Sequence, residues 1–148
     1  MRTYRIYTAG KMSGLPYERQ MMWRRIITDK FKDRENGFAV KVINPPEYYN
    51  PLDEDAETIE REAMIWDLNQ IKDCDIVIVN LSGIEDSIGT HCELGYINAV
   101  NSFGNKHIYV IGFGKPVENL HPWIQMNLFH WEPDITSTVD YVCSHLLI

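Results

Sequence analysis

The residues of this chain whose types and spacing could do chemistry are carboxylates. Glu93 ends the tetrad Thr90-His91-Cys92-Glu93, and the loop just before it carries Glu85, Asp86 and Ser87. Two carboxyl groups in unequal surroundings are the usual apparatus for a glycosidic bond. One attacks the anomeric carbon or positions water, while the other gives a proton to the leaving group. The same tetrad also fits a capping box, in which Thr90 caps a helix and Glu93, three residues on, reaches back to its backbone amide. Both readings use one position. A first-turn glutamate is held ionised by the positive end of the helix dipole, and an attacking carboxylate has to be ionised. Glu85 and Asp86 read equally as an acidic surface loop. Asp67 is a solvated helix residue unless its helix leads into the same cleft, and Tyr7 is either core or a group that orients a carboxylate.

Two weaker patterns stand beside these. The segment Gly10-Lys11-Met12-Ser13-Gly14 matches neither the Rossmann nor the Walker glycine pattern. Its amides, one hydroxyl and one cation could hold a phosphate at a helix start, or simply make a turn. Tyr48, Tyr49, Trp66 and Trp123 could stack on a base, although most aromatics are packing.

The elements that must position these residues follow from hydrophobic period. Tyr4 to Ala9 reads as a strand running into the glycine-bearing loop. Pro16 can open a helix, with Met22, Ile26 and Phe31 at helical spacing beside Trp23 and Ile27, up to a stop at Asn36-Gly37. Phe38 to Ile43 is a second strand, closed by Asn44-Pro45-Pro46, and YYNPLDED is a loop that either connects or covers a site. A helix from about Ala56 to Lys72 carries Met64, Leu68 and Ile71 on one face, with Asp67 at its edge. Asp75 to Leu81 is a strand whose IVIV run suits burial on both faces of a parallel sheet. A helix from Thr90 presents Cys92, Tyr96, Ala99 and Phe103 and ends at Gly104. His107 to Gly112 is a fourth strand, Met126 to Trp131 a short fifth, and Ile135 to Leu147 a closing helix. Strands separated by helices imply right-handed crossovers. The expected architecture is a three-layer, doubly wound α/β fold of about five mostly parallel strands in a flavodoxin-like order, with ligands at the carboxyl ends of the strands.

Composition bounds the function. At 148 residues with 45% apolar content, the chain matches one globular domain. Fourteen Lys and Arg against 21 Asp and Glu give a net charge of −7, which argues against binding a nucleic-acid polymer. Cys74, Cys92 and Cys143 have neither CxxC spacing nor an even count, so they read as buried thiols in a reducing compartment rather than a zinc site or a disulfide framework. The opening MRTYRIYTAG is too short an apolar run for a signal peptide, and no stretch approaches a membrane span. A cytoplasmic location is expected.

Taken together, the opening IYTAG, the central WDLNQIKDCDIVIVNL and the following GTHCELGYINA resemble the nucleoside 2-deoxyribosyltransferase family over roughly residues 4 to 112. The resemblance implies that Glu93 is the nucleophile, that Asp67 binds and protonates the base, and that Tyr7 orients the nucleophile. Asp86 corresponds to the loop aspartate that contacts base or sugar. The family usually has that aspartate two residues before the glycine, whereas here it lies three before Gly89 and Ser87 holds the expected position. A second branch of the superfamily hydrolyses nucleoside 5′-monophosphates and uses a serine- and glycine-bearing loop for the phosphate, which Gly10, Lys11, Ser13 and Gly14 resemble. The family completes its site with C-terminal residues of a neighbouring subunit, which implies a homo-oligomer and makes Asn127 a candidate. The implied reaction takes deoxyribose from a nucleoside through a glycosyl-glutamate to another base or to water, with no metal or organic cofactor. The alternatives are a nucleotide-binding module without turnover and a flavodoxin-type electron carrier, although the first loop lacks the hydroxyl run that a flavin phosphate requires.

Overall fold

A computed structural model describes residues 2–34, 38–48 and 56–147, and for residues 56–59 only the backbone. Tyr49, the Asn36-Gly37 stop and most of the YYNPLDED loop lie outside the described residues. Five strands, β1 (Thr3–Ala9), β2 (Ala39–Ile43), β3 (Ile76–Asn80), β4 (Tyr109–Phe113) and β5 (His130–Glu132), form one sheet in the order β2-β1-β3-β4-β5. Every pairing is parallel, with Tyr7 opposite Ile43 on one side and Val77 on the other. This is the flavodoxin-like order, and its switch point lies between β1 and β3.

Two apolar layers follow from strand alternation. Tyr7, Val77, Val79 and Val110 face one layer, which α2 (Ala56–Lys72) and α3 (Ile88–Phe103) cover with Ile71, Leu94 and Ile97. Ile6, Ile76, Ile78 and Ile111 face the other, where α1 (Tyr17–Lys32) and α5 (Ile135–Tyr141) supply Ile27, Phe31 and Val139. All four residues of the IVIV run are fully buried, as a central strand covered on both faces requires. The short helix α4 (Pro122–Asn127) precedes β5, and the chain closes in a π-type turn over Val142–Leu146.

Several helix faces differ from the periodic reading. On α1 the buried stripe is Gln20, Met21, Arg24, Ile27 and Phe31, while Met22 and Ile26 are exposed. Two polar side chains displace apolar ones because the first loop and the end of β1 offer them oxygens to bond. On α3, Leu94 and Ile97 face the core, whereas Cys92, Ala99 and Phe103 face outward, so Cys92 is not a buried thiol. Met64 on α2 is also exposed. The segment expected as one strand from Met126 to Trp131 divides, its first half completing α4 and its second forming β5.

Among the described residues, no helix is long and apolar enough to cross a membrane.

Candidate active site

The switch point brings together three polar groups from three elements. Tyr7 lies near the carboxyl end of β1, Asp67 on the fourth turn of α2, and Glu93 on α3. Tyr7 is fully buried, and both acids are half-buried. Tyr7 Oη, Asp67 Oδ1 and Glu93 Oε2 are enclosed and none meets full hydrogen-bonding geometry, although the Tyr7 hydroxyl stands near enough to both acids to act on them. Folded proteins rarely leave such atoms unsatisfied without a functional reason.

Burial dominates the ionisation of all three groups, and their neighbours modify it. Burial pushes the Glu93 carboxyl up to about 8, and the neighbouring Asp67 charge adds to it, against the opposing pull of the Tyr7 hydroxyl and Arg24. Burial likewise raises Asp67 to about 7, with Arg24 and the Tyr7 hydroxyl pulling it down. The Tyr7 phenol is held well above its ordinary range by burial and by the two carboxylates, so it stays a hydroxyl. Two acids this close titrate as a unit. Their first proton leaves more readily than their second, because the second ionisation would put two negative charges among buried groups.

Helix α3 begins three residues earlier than the capping-box reading requires, with its N-cap at Ser87 instead of Thr90. Ser87 stands at its N-cap without a side-chain bond to the backbone, and Thr90 lies inside the first turn. The hydroxyls of Ser87 and Thr90 meet each other at 2.6 Å, both buried. Glu93 is therefore in the second turn, turned into the site rather than back toward an amide. This removes the cap role and weakens the dipole's hold, which acts mainly within the first turn. The local spacing fitted a cap, but Ile84 sinking into the core pulls the loop tight and lets the helix start at Ile88.

The loop after β3 turns at Gly83, whose φ of +73° favours glycine, and passes through one 3-10 turn, Ile84–Asp86. Asp86 is exposed at the end of that turn, outside the enclosed group, and Gly89 is exposed in the first turn of α3. Glu85 is also exposed and forms an ion pair with Lys115. Gly10 packs so tightly that a Cβ there would meet Trp23 at 2.8 Å and the Asn80 side chain at 3.3 Å. The Lys11 stem crosses the Gly83 turn, 3.2 Å from where a Cβ would stand, so the first loop and the β3 loop touch. Ser13 and Gly14 are exposed beyond it. Asn127 ends α4 and donates to the Trp123 backbone carbonyl at 2.8 Å. Tyr48 packs against Trp66 with ring centroids 4.3 Å apart and the planes tilted by 37°, one residue from Asp67, whereas Trp123 stands exposed on α4.

Two residues of this site escape a reading by motif. Gln20 donates to the carbonyls of Met12 and Leu15, at 3.0 and 2.8 Å, and fixes the first loop. Arg24 is fully buried, donates to Thr8 Oγ1, the Gln20 carbonyl and the Gly10 carbonyl, and lies over the Trp23 ring. The available signal was their register: positions 20, 24, 27 and 31 follow the helical period, so a glutamine and an arginine occupy an apolar stripe.

Solved structures with the same fold include a 2-deoxyribosyltransferase from Bacillus psychrosaccharolyticus, 20% identical with a TM-score of 0.62 over 93% of this chain and 91% of that one. A conserved protein from Enterococcus faecalis is 12% identical, with a TM-score of 0.67 over 98% of this chain and 100% of its own. A CMP N-glycosidase from Clostridium botulinum is 18% identical, with a TM-score of 0.52 over 96% and 99%. No curated protein matches the chain in sequence. The family model described as nucleoside 2-deoxyribosyltransferase matches residues 6–120, a span that contains Tyr7, Asp67 and Glu93, and the chain belongs to that family.

Proposed function

We propose that this protein cleaves the N-glycosidic bond of a 2′-deoxynucleoside through a covalent glycosyl-glutamate and passes the deoxyribose to a second base. Family and fold support deoxyribosyltransferase or N-glycosidase activity. The observation that carries the reading is the set of enclosed, unpartnered oxygens of Tyr7, Asp67 and Glu93 at the switch point. A coupled pair between its two ionisations holds one charge and one proton, which are the two things the reaction needs. The single charge and single proton are shared by the pair, and the reacting form is the one with the proton on Asp67 and the charge on Glu93, whose carboxylate attacks the anomeric carbon. The C–N bond breaks, its electron pair goes to the base, and Asp67 supplies the proton. In the second half the incoming base forms the new C–N bond as the Glu93 ester breaks, and its proton returns to Asp67. The Tyr7 hydroxyl orients Glu93, and the Tyr48–Trp66 pair offers a face for the base. Exposed Asp86 and Gly89, with buried Ser87 between them, lead from β3 into the helix that carries Glu93 and are the candidates to contact base or sugar.

The contact of Lys11 with the Gly83 turn favours a second reading, a hydrolase of nucleoside 5′-monophosphates in which Gly10, Lys11, Ser13 and Gly14 hold the phosphate and water replaces the second base. One chromatographic assay separates these readings. A deoxynucleoside or its 5′-monophosphate is mixed with a second free base, using wild type and Glu93→Ala. Exchange that Glu93→Ala abolishes supports transfer, whereas undiminished exchange in that variant sinks the assignment of the nucleophile. Free base released from the monophosphate alone, with the preference lost in Ser13→Ala, supports hydrolysis. A ligand that raises Tm and is never cleaved would make the protein a binding module.

A further inference from the structure

A guanidinium with no exposed surface is expensive to bury unless opposite charge stands near it. Arg24 has 0% exposure, and the three oxygens that accept its protons, Thr8 Oγ1 at 3.2 Å, the Gln20 carbonyl at 2.6 Å and the Gly10 carbonyl at 3.4 Å, are neutral. Two of the three flank the end of β1, immediately after Tyr7. Thr8 is held in turn by Asn44 Oδ1 at 2.8 Å, and the Asn44 amide donates to Thr28 Oγ1 at 3.0 Å, so α1, β1 and the end of β2 are locked together. The groups that act electrostatically on Arg24 come from the opposite layer: Tyr7 on β1, Glu93 on α3 and Asp67 on α2. The cation thus stands beneath the switch point on the α1 side, and the acids stand above it on the α2–α3 side.

We propose that Arg24 is a positioning residue for the acid pair. It pins the end of β1 that carries Tyr7, and it supplies the buried positive charge against which one of the two carboxyl groups ionises. This deepens the reading of Glu93 and Asp67 as the reacting acids and rests on it. Without the cation, the first negative charge in the pocket has only the Tyr7 hydroxyl to stabilise it. Both ionisations of the pair then move to higher pH.

The test compares wild type with Arg24→Gln, which removes the charge and keeps donors near Gly10 and Thr8, and with Arg24→Lys, which keeps the charge. The pH profile of kcat/KM for glycosidic cleavage should move alkaline by about one unit or more in Arg24→Gln and stay in place in Arg24→Lys. A lower Tm with an unmoved profile in Arg24→Gln would make the residue merely structural and overturn the proposal. Carbon-13 NMR titration of labelled Asp and Glu side chains reads the same shift without any turnover. A wild type that cleaves nothing therefore sinks the proposed reaction and leaves Arg24 still decided. Should Arg24→Gln fail to fold, the Arg24 Nε–H resonance of the unmodified protein serves instead. It should move with the same midpoints as the carboxyl carbons, and a resonance indifferent to them rejects the role.

Discussion

Glu93 and Asp67 are carboxyl groups kept in a place that disfavours their charge. Both are raised above their ordinary values chiefly by burial, to about 8 and about 7, so the folded state binds more protons than the unfolded chain between roughly pH 4 and 8. Stability contributed by these groups is full below the unfolded carboxyl range and is lost as pH rises through the folded values. Glu93→Gln should therefore flatten the fall in Tm between pH 5 and pH 8 while lowering kcat by at least about a thousandfold. Equal pH slopes for the two proteins in a melting series would contradict the burial of the charge. Tyr7→Phe tests the neighbouring group. Its hydroxyl acts on the Glu93 and Asp67 carboxyls and bonds no backbone group, so losing it should change Tm little. Activity should nonetheless fall by about tenfold to a hundredfold through poorer orientation of Glu93. A large loss of Tm in Tyr7→Phe would mean that the hydroxyl supports the fold.

At the scale of elements, the position of Glu93 depends on how the chain leaves β3. Gly83 takes a φ of +73°, Ile84 is buried, and Ser87 and Thr90 close on each other, so α3 starts at Ile88 and its second turn faces the site. Gly83→Ala should cost about 1–2 kcal/mol, because a left-handed backbone crowds a Cβ. That corresponds to a fall in Tm of roughly 2–8 °C for a chain of this size. Gly83→Asn, better tolerated in that conformation, should recover part of it. Differential scanning calorimetry of the pair checks the claim, and an alanine variant as stable as wild type would show that the turn relaxes freely. The Lys11 stem over this turn can swing aside, so the cost falls on the backbone.

At the scale of the whole molecule, large apolar side chains stand in solvent on α3 and α4. Phe103 is 90% exposed, Met126 83%, Ile88 78% and Trp123 76%. Exposed apolar side chains that join into one patch mark an interaction site. We propose a homo-oligomer that covers these faces, with Asn127 at its edge. Light scattering behind size exclusion should show more than one subunit, and Phe103→Asp combined with Met126→Asp should give monomers. If Asn127 completes a neighbour's site, those monomers lose activity while keeping their fold by circular dichroism. Monomers that retain full activity would confine the site to one chain.

The meeting of Tyr7, Asp67 and Glu93 was implied only by the family resemblance, whereas the sequence by itself determined the succession of strands and helices, the parallel sheet and its carboxyl edge. Those follow from short-range hydrophobic period and from the handedness of crossovers, both local properties of a chain. The tertiary structure decided what each polar residue does in that frame. It moved the start of α3 and so took Glu93 out of its cap, left Asp86 on the surface, turned Cys92 and Phe103 outward, and set Arg24 in the interior. Burial depends on what packs from distant parts of the chain. Thr8, Gly10 and the two acids approach Arg24 only once β1, α2 and α3 converge, and no window of sequence contains them together.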